Sequence, residues 1–337
     1  MNFRRVRFEE LLLRRASLLL FAAVFAVFGL LSPKFLEAQN LINILIQSSS
    51  IAITAIGMTF VLLTAGIDLS IGSIMFVAAI AAGKLVLSGQ SLPVAVAATL
   101  LIGLVGGALN ATLVTRLKIP AFIVTLGTLY LGRGLGLWLT ETRAMNLPES
   151  LLQIGAARVL GVPVPILIFL LVLVAAHIVL TQTPFGRQIY ATGNDREAAQ
   201  KAGLNTTRII FLVYVVSGLC AAIGGLVSVA QLGAVSPTFG NQREFAAVAA
   251  AVLGGTSLFG GRGQVFPGTV LGAILIQTVE NGLVIINADP YLYPLVMSSI
   301  IFLAVLTDSV RLKKYVVPAS AGSLRVRRNG LSPDASG

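Results

Sequence analysis

Cysteine, histidine and charge are scarce in this chain. A single cysteine, Cys220, excludes a disulfide framework and any cysteine-ligated metal site. His177 is the only histidine and sits in an apolar run, where helix packing explains it better than ligation. It also lies far from any Gly-x-Ser-x-Gly elbow, which disfavours a membrane-embedded serine hydrolase. Charged residues make up only 11% of the 337, and no polar block is long enough for a soluble domain. The phosphate-cradling pattern Gly-x-x-x-x-Gly-Lys-Ser/Thr is missing. Its nearest glycine-rich stretch, Gly260-Gly261-Arg262, lacks the lysine and hydroxyl and reads as a hinge or packing notch. Strand-like alternation is missing too: LLLFAAVFAVFGLL is apolar on every face, which excludes a β-barrel.

Apolar sequence is what the chain has in quantity, at 56% hydrophobic residues. A bilayer core needs roughly 20 apolar residues per helical crossing, and lipid offers the backbone no hydrogen-bond partner outside a helix. The expected fold is therefore an all-α membrane protein of about ten transmembrane helices. The runs fall at 17–31, 43–65, 70–88, 93–114, 120–140, 163–182, 208–230, 246–260, 265–287 and 292–310. They bound a cytoplasmic N-terminal tail (1–16), a polytopic transmembrane domain (17–310) and a basic tail (311–337) expected to be disordered. The first run is read as a retained helix, because Ser32-Pro33-Lys34-Phe35 offers no small-x-small cleavage site.

Net charge is +11, and its distribution orients the chain. Alternate segments hold Arg4, Arg5, Arg7, Arg14 and Arg15; Arg116 and Lys118; Arg187, Arg196, Lys201 and Arg208; Arg262; and Arg311, Lys313, Lys314, Arg325, Arg327 and Arg328. These are 18 of the 24 basic residues, so the positive-inside rule puts both termini in the cytoplasm. The basic excess records orientation, not a nucleic-acid partner.

The second crossing breaks at Gly66-Ile67-Asp68-Leu69-Ser70, and the eighth is short and runs into Gly254-Gly255-Thr256-Ser257. Interrupted segments at matching places in two halves mark a binding path at a repeat interface. Crossings 1–5 match 6–10 in opposite senses. Gly103 to Ala108 resembles Gly268 to Ala273, and an acid, Asp68 or Glu244, precedes the third and eighth. The halves therefore read as an inverted repeat. Gly103/Gly107, Gly132/Gly136 and Gly268/Gly272 are read as packing notches between helices.

The most telling polar segment runs from Gly193 to Gly203 inside the loop 183–207. Asn194 is the expected N-cap, with Glu197 three residues on completing a capping-box pattern. Asp195 and Glu197 favour the first turn, and Glu197 pairs with Lys201 at i, i+4. Gly203 suits the left-handed position that ends a helix. The expected product is a two-turn helix whose Ala198, Ala199 and Ala202 form one smooth face. So short a helix is marginal in water, which favours docking on a partner over a solvated connector.

Glu197-Ala198-Ala199-x-x-x-Gly203 resembles the cytoplasmic EAA loop of ABC importer permeases. The wider chain resembles the ribose-type monosaccharide permeases in Ile56-Gly57-Met58-Thr59, Ala65 to Ser73, Ala121 to Leu126, Gly186 to Gly193 and Ala249 to Gly263. The resemblance implies a permease dimer, two cytoplasmic ATP-binding subunits, a periplasmic sugar-binding protein and a place in the bacterial inner membrane. No cofactor is expected on this chain; ATP belongs to the partner. The coupling residues it implies are Asn194, Asp195, Glu197, Ala198, Ala199, Lys201 and Gly203. One departure stands out. The family usually reads Glu-Leu-Asp-Ala where this chain has Glu244-Phe245-Ala246-Ala247, so a role tied to that aspartate is in doubt.

Polar residues within the membrane are expensive and are candidates for the substrate path. They are Gln47, Asp68, Ser70, Asn110, Glu244, Gln277 and Asn281. Asp68 either caps the following helix, the favoured reading, or lines the exit. The neutral amides suit an uncharged, hydroxylated solute and equally suit hydrogen bonds between helices. Glu280 is placed near a membrane edge, as are Trp138, Tyr291 and Tyr293. No carboxylate or histidine relay at mid-depth is evident, which weighs against a proton- or sodium-coupled carrier. Within the same architecture a quorum-signalling furanone, a nucleoside or a branched-chain amino acid remains an alternative cargo.

Overall fold

Each of the ten apolar runs forms a helix in the computed structural model, which describes residues 18–316. In chain order the helices are α1 (Leu18–Leu31), α2 (Ala38–Leu63), α3 (Ile71–Leu87), α4 (Leu92–Thr115), α5 (Ala121–Thr140), α6 (Glu149–Ala156) and α7 (Val164–Gln182). Then follow α8 (Pro184–Asn194), α9 (Arg196–Lys201), α10 (Thr206–Leu232), α11 (Arg243–Leu253), α12 (Val270–Ile285) and α13 (Leu292–Val316). Among the described residues, six segments are long and apolar enough to cross a membrane: α2, α4, α5, α7, α10, and α12 with the wide turn before it. The tail expected over 1–16 lies outside the described residues, as does 317–337. α13 itself runs past the expected end at 310.

Three boundaries differ from expectation for local reasons. α11 stops at Leu253, not at 260, because Gly254-Gly255 break it and Gly255 takes φ +94°. α12 is entered through a wide turn at Val265–Thr269, where Phe266, the residue before Pro267, is extended (φ −113°, ψ 133°) and interrupts the helix. Between α7 and α9 the chain forms α8, where a loop was expected. Thr183 Oγ accepts from Gly186 N at 3.2 Å and Pro184 holds the first helical position.

α2 and α10 form the centre, with 83% and 67% of their spans buried, against 17–22% for α4, α5 and α7. Lipid supplies no hydrophobic drive between helices, so close backbone approach must hold this pair and its neighbours. α4 lies on α10 through Gly103 and Gly107: a Cβ on Gly107 would stand 2.5 Å from Tyr214 O, and one on Gly103 2.6 Å from Gly218 O. Only hydrogens fit between these backbones, as the four-residue glycine spacing predicts.

Two short antiparallel ladders tie the loops at one end of the bundle. Met145–Asn146 (β1) pairs with Ala234–Val235 (β4), and Arg158–Val159 (β2) with Val162–Pro163 (β3). At the opposite end the α2–α3 break, the α4–α5 turn, α8–α9 and the α11–α12 loop converge.

Candidate functional site

The helix α9 begins one residue later than the sequence suggested. Asp195, not Asn194, is its N-cap: its Oδ1 accepts from Ala198 N at 2.9 Å, while Asn194 closes α8. Two abutting helices leave a single extended residue between them, and the carboxylate that sits there takes the capping position. Glu197 therefore forms no capping box. It pairs with Lys201 at 2.8 Å on the exposed face. Gly203 ends the helix as expected, at φ +84°. Its N–H donates to Gln200 O, and Leu204 N–H to Ala199 O, both orphan carbonyls satisfied in a Schellman closure. The alanine face is split. Ala199 is buried within the chain, while Ala198 and Ala202 stay exposed beside Glu197 and Lys201. What remains free is a small-residue strip edged by charge.

Behind α9, three stretches of backbone meet without side chains between them. Gly193 at the end of α8 abuts Leu63 O at the end of α2, so that a Cβ there would overlap the carbonyl and come 2.7 Å from Gly261 N. Gly261 N–H donates to Leu63 O at 3.0 Å, and Gly260 rests against Gly193 O. Tyr190 reaches across from α8 to donate its hydroxyl to Gly263 O at 2.9 Å. Burial raises the pKa of that hydroxyl above the usual phenol value, so it remains a donor throughout the physiological range. α8 is thus bound directly both to the end of α2 and to the α11–α12 loop. A cleft of about 610 Å³ lies beside this joint, with Ala65 and Gly66 on one wall and Lys118, Arg196 and Gln200 on the other.

The candidate path residues fall into three separate clusters. Asp68, Ser70 and Asn110 are fully enclosed. Asp68 Oδ1 accepts from Ser70 N (3.0 Å) and Ser70 Oγ (2.6 Å), and Oδ2 accepts from Ser217 Oγ (2.7 Å). Asn110 Nδ2 donates to Ser70 Oγ, and its Oδ1 accepts from Thr128. The knot joins α3, α4, α5 and α10 at the break after α2. Asp68 thus holds the turn before α3 but does not cap the helix as favoured: Ser70 occupies the cap position. In the second cluster Gln277 donates to Gln47 at 2.9 Å, and Asn281 and Asn40 exchange bonds at 2.9 and 3.0 Å, lacing α12 to α2. These amides make the interhelical bonds that were the alternative to a path role.

The third cluster contains a residue that the sequence reading missed. Arg133, in the middle of α5, stacks over Phe76 (5.2 Å to the centroid) and donates Nη1 to Phe239 O. Its Nη2 and Glu244 Oε2 both abut Gly72, and neither has a hydrogen-bond partner. A charge flanked by Gly132 and Gly134 in an apolar run was the available signal. Glu244→Gln should lower the melting temperature measurably, because it removes the negative charge that lies with the half-buried Arg133 guanidinium around Gly72. Arg133→Gln with Glu244→Gln should recover part of the loss, and strictly additive melting shifts would show the two are uncoupled.

The family described as branched-chain amino acid transport system / permease component matches residues 40–306. The chain belongs to this permease family. It is a multi-pass inner-membrane permease subunit and not an enzyme. The permease is 37% identical to the ribose import permease of Haemophilus influenzae over 313 residues, 91% of this chain and 96% of the relative. It is 37% identical to the D-allose transport system permease of Escherichia coli K12 over 85% of this chain and 89% of that one. To the autoinducer 2 import permease of Photorhabdus luminescens it is 38% identical, over 89% and 91%. No solved structure matches the permease.

Proposed function

We propose that this chain is the membrane subunit of an ABC importer for a monosaccharide, driven by separate ATP-binding subunits and fed by a periplasmic sugar-binding protein. The observation that carries this reading is α9 with its exposed Ala198–Ala202 strip, fixed through α8 to the core by the glycine joint. The relatives that import ribose and allose support a pentose, hexose or related polyol as cargo. The autoinducer 2 relative supports the furanone as the second reading. Two permease chains, identical or paralogous, complete the assembly, and ATP is bound by the partner alone.

Ten crossings in two inverted halves, with both ends cytoplasmic, fit the packing. α4 rests on α10 as α12 rests on α2, and α3 meets α10 as α11 meets α2. That reciprocity is what a pseudo-twofold relation between crossings 1–5 and 6–10 requires. The segments carrying Lys118, Arg196 and Arg262 gather at the end where α9 lies, in keeping with a cytoplasmic face. In this scheme closure of the ATPases pushes on α9, and the joint passes the motion to the breaks that flank α3 and α11.

The test is a pair of α9 variants assayed in proteoliposomes with the partner ATPase and binding protein. The exposed Glu197–Lys201 pair contributes at most about 0.5 kcal/mol to the fold. Glu197→Ala should therefore leave melting unchanged yet cut ATP-driven uptake at least tenfold, and Ala198→Trp should block ATPase assembly. Wild-type uptake in both, or uptake that follows a proton gradient in place of ATP, overturns the reading. Competition among ribose, allose and autoinducer 2 ranks the cargo.

A further inference from the structure

The connection from α10 into α11 leaves the ladder end of the bundle at β4 and turns inward. Phe239 O accepts from Arg133, and Gly240 lies so close to Gly72 that a Cβ on either would strike the other's carbonyl. The next residue of α3, Ser73, abuts Gly132 midway along α5. Non-helical backbone has therefore reached the middle of a helix long enough to cross the membrane. At that depth it is tolerated only where protein buries it or where it lines a water-filled cavity. Phe239 and Gly240 are buried, whereas Asn241 and Gln242 are exposed. Both line a cavity of about 560 Å³ between α11, α12 and α13, within the size range of small-molecule sites.

We propose that Asn241 and Gln242 line the cargo's passage and hydrogen-bond an uncharged, hydroxylated solute as it crosses mid-membrane. The inference rests on the importer reading above and gives that importer its contact residues. Neither carboxamide makes a hydrogen bond among the described residues. Gln242 even holds the N-cap position of α11, at φ +62°, yet its side chain caps nothing. The amides expected on the path, Gln47, Asn110, Gln277 and Asn281, are taken up by bonds between helices. A free carboxamide offers two donors and an acceptor, which matches vicinal hydroxyls. The charges in the same wall answer one another: Arg243 and Glu280 stand 3.7 Å apart, and Tyr293 donates its hydroxyl to Glu280. No counter-charge is left over for an ionic cargo, while Ser298 adds an exposed hydroxyl.

Two experiments on the assembled importer in proteoliposomes test this. Cys220, the only native cysteine, is buried and gives a silent background. A thiol reacts with a charged methanethiosulfonate as the hydrated thiolate. Asn241→Cys and Ser298→Cys should therefore be modified at least tenfold faster than Leu171→Cys, which is exposed on the apolar α7. Asn241→Ala combined with Gln242→Ala should lower kcat for ATP-driven ribose uptake at least tenfold, with melting and stimulated ATP hydrolysis unchanged. It should also shift the ratio of ribose to allose uptake at least threefold, which a merely structural pair would not do. Wild-type uptake in the double variant, loss of ATP hydrolysis alongside uptake, or Asn241→Cys no more reactive than Leu171→Cys overturns the proposal. Uptake by the wild type tests the importer reading on its own, and the cysteine experiment needs no cargo, so the two can fail separately.

Discussion

Gly193→Ala is expected to abolish ATP-driven uptake, with at least a hundredfold loss, in a protein that still reaches the membrane and binds its ATPase. The added methyl cannot be accommodated by a rotamer change, because everything it meets is backbone: Leu63 O, the Leu63 carbonyl carbon and Gly261 N. Either α8 backs away from the end of α2 or the bond from Gly261 N to Leu63 O opens. Both outcomes separate the element proposed to receive the push from the segments proposed to move. The surface proposed to meet the ATPase lies on α9 and stays intact, so ATP hydrolysis should persist while transport stops. Tyr190→Phe is the graded companion. It removes one neutral hydrogen bond, worth about 1 kcal/mol, and should slow uptake only a few-fold. Measuring uptake and hydrolysis side by side checks both, and normal uptake by Gly193→Ala would show that the joint carries no force.

Asp68→Ala should destabilise the membrane domain strongly. It leaves the Ser70 N–H, the Ser70 hydroxyl and the Ser217 hydroxyl without their acceptor in a site that water does not reach. Each unsatisfied buried donor costs about 1–3 kcal/mol, although the two hydroxyls can turn toward other acceptors and soften the sum. A net loss of about 3 kcal/mol corresponds to a fall of roughly 6–12 °C in melting temperature for a domain of this order of size. Ser217→Ala removes one donor and leaves Asp68 two bonds, so it should cost about 1 kcal/mol. Thermal unfolding in detergent compares the three proteins. If Asp68→Ala melts alongside Ser217→Ala, the knot is not the anchor its geometry implies.

How much of this was legible in the sequence depended on whether the governing contact was local. Gly203 was legible because a left-handed residue closing a short helix is determined within five residues. The notches at Gly103 and Gly107 were legible because a four-residue spacing fixes one face of a helix. The cap on α9 was misplaced by one residue because Asn194 and Asp195 are chemically equivalent caps, and only the existence of α8 decides between them. That helix carried a signal, Thr183-Pro184, which was not used. Arg133 was passed over because an isolated charge in an apolar run says nothing about which distant carboxylate it faces. Ser217 is 149 residues from Asp68, and nothing in either segment names the other. Gln47, Gln277 and Asn281 were recognised as buried amides, but whether such a group serves a solute or a neighbouring helix depends on the distance to its partner.

The crossing of three main chains at Gly193, Leu63 and Gly261 has one further consequence. With no side chain in the contact, the fit is set by peptide geometry, which is the same whatever residues surround it. In the proposed scheme, walls that select cargo can be rewritten residue by residue while the stroke delivered by the motor keeps its length and direction. A single drive train can thus serve importers of dissimilar solutes.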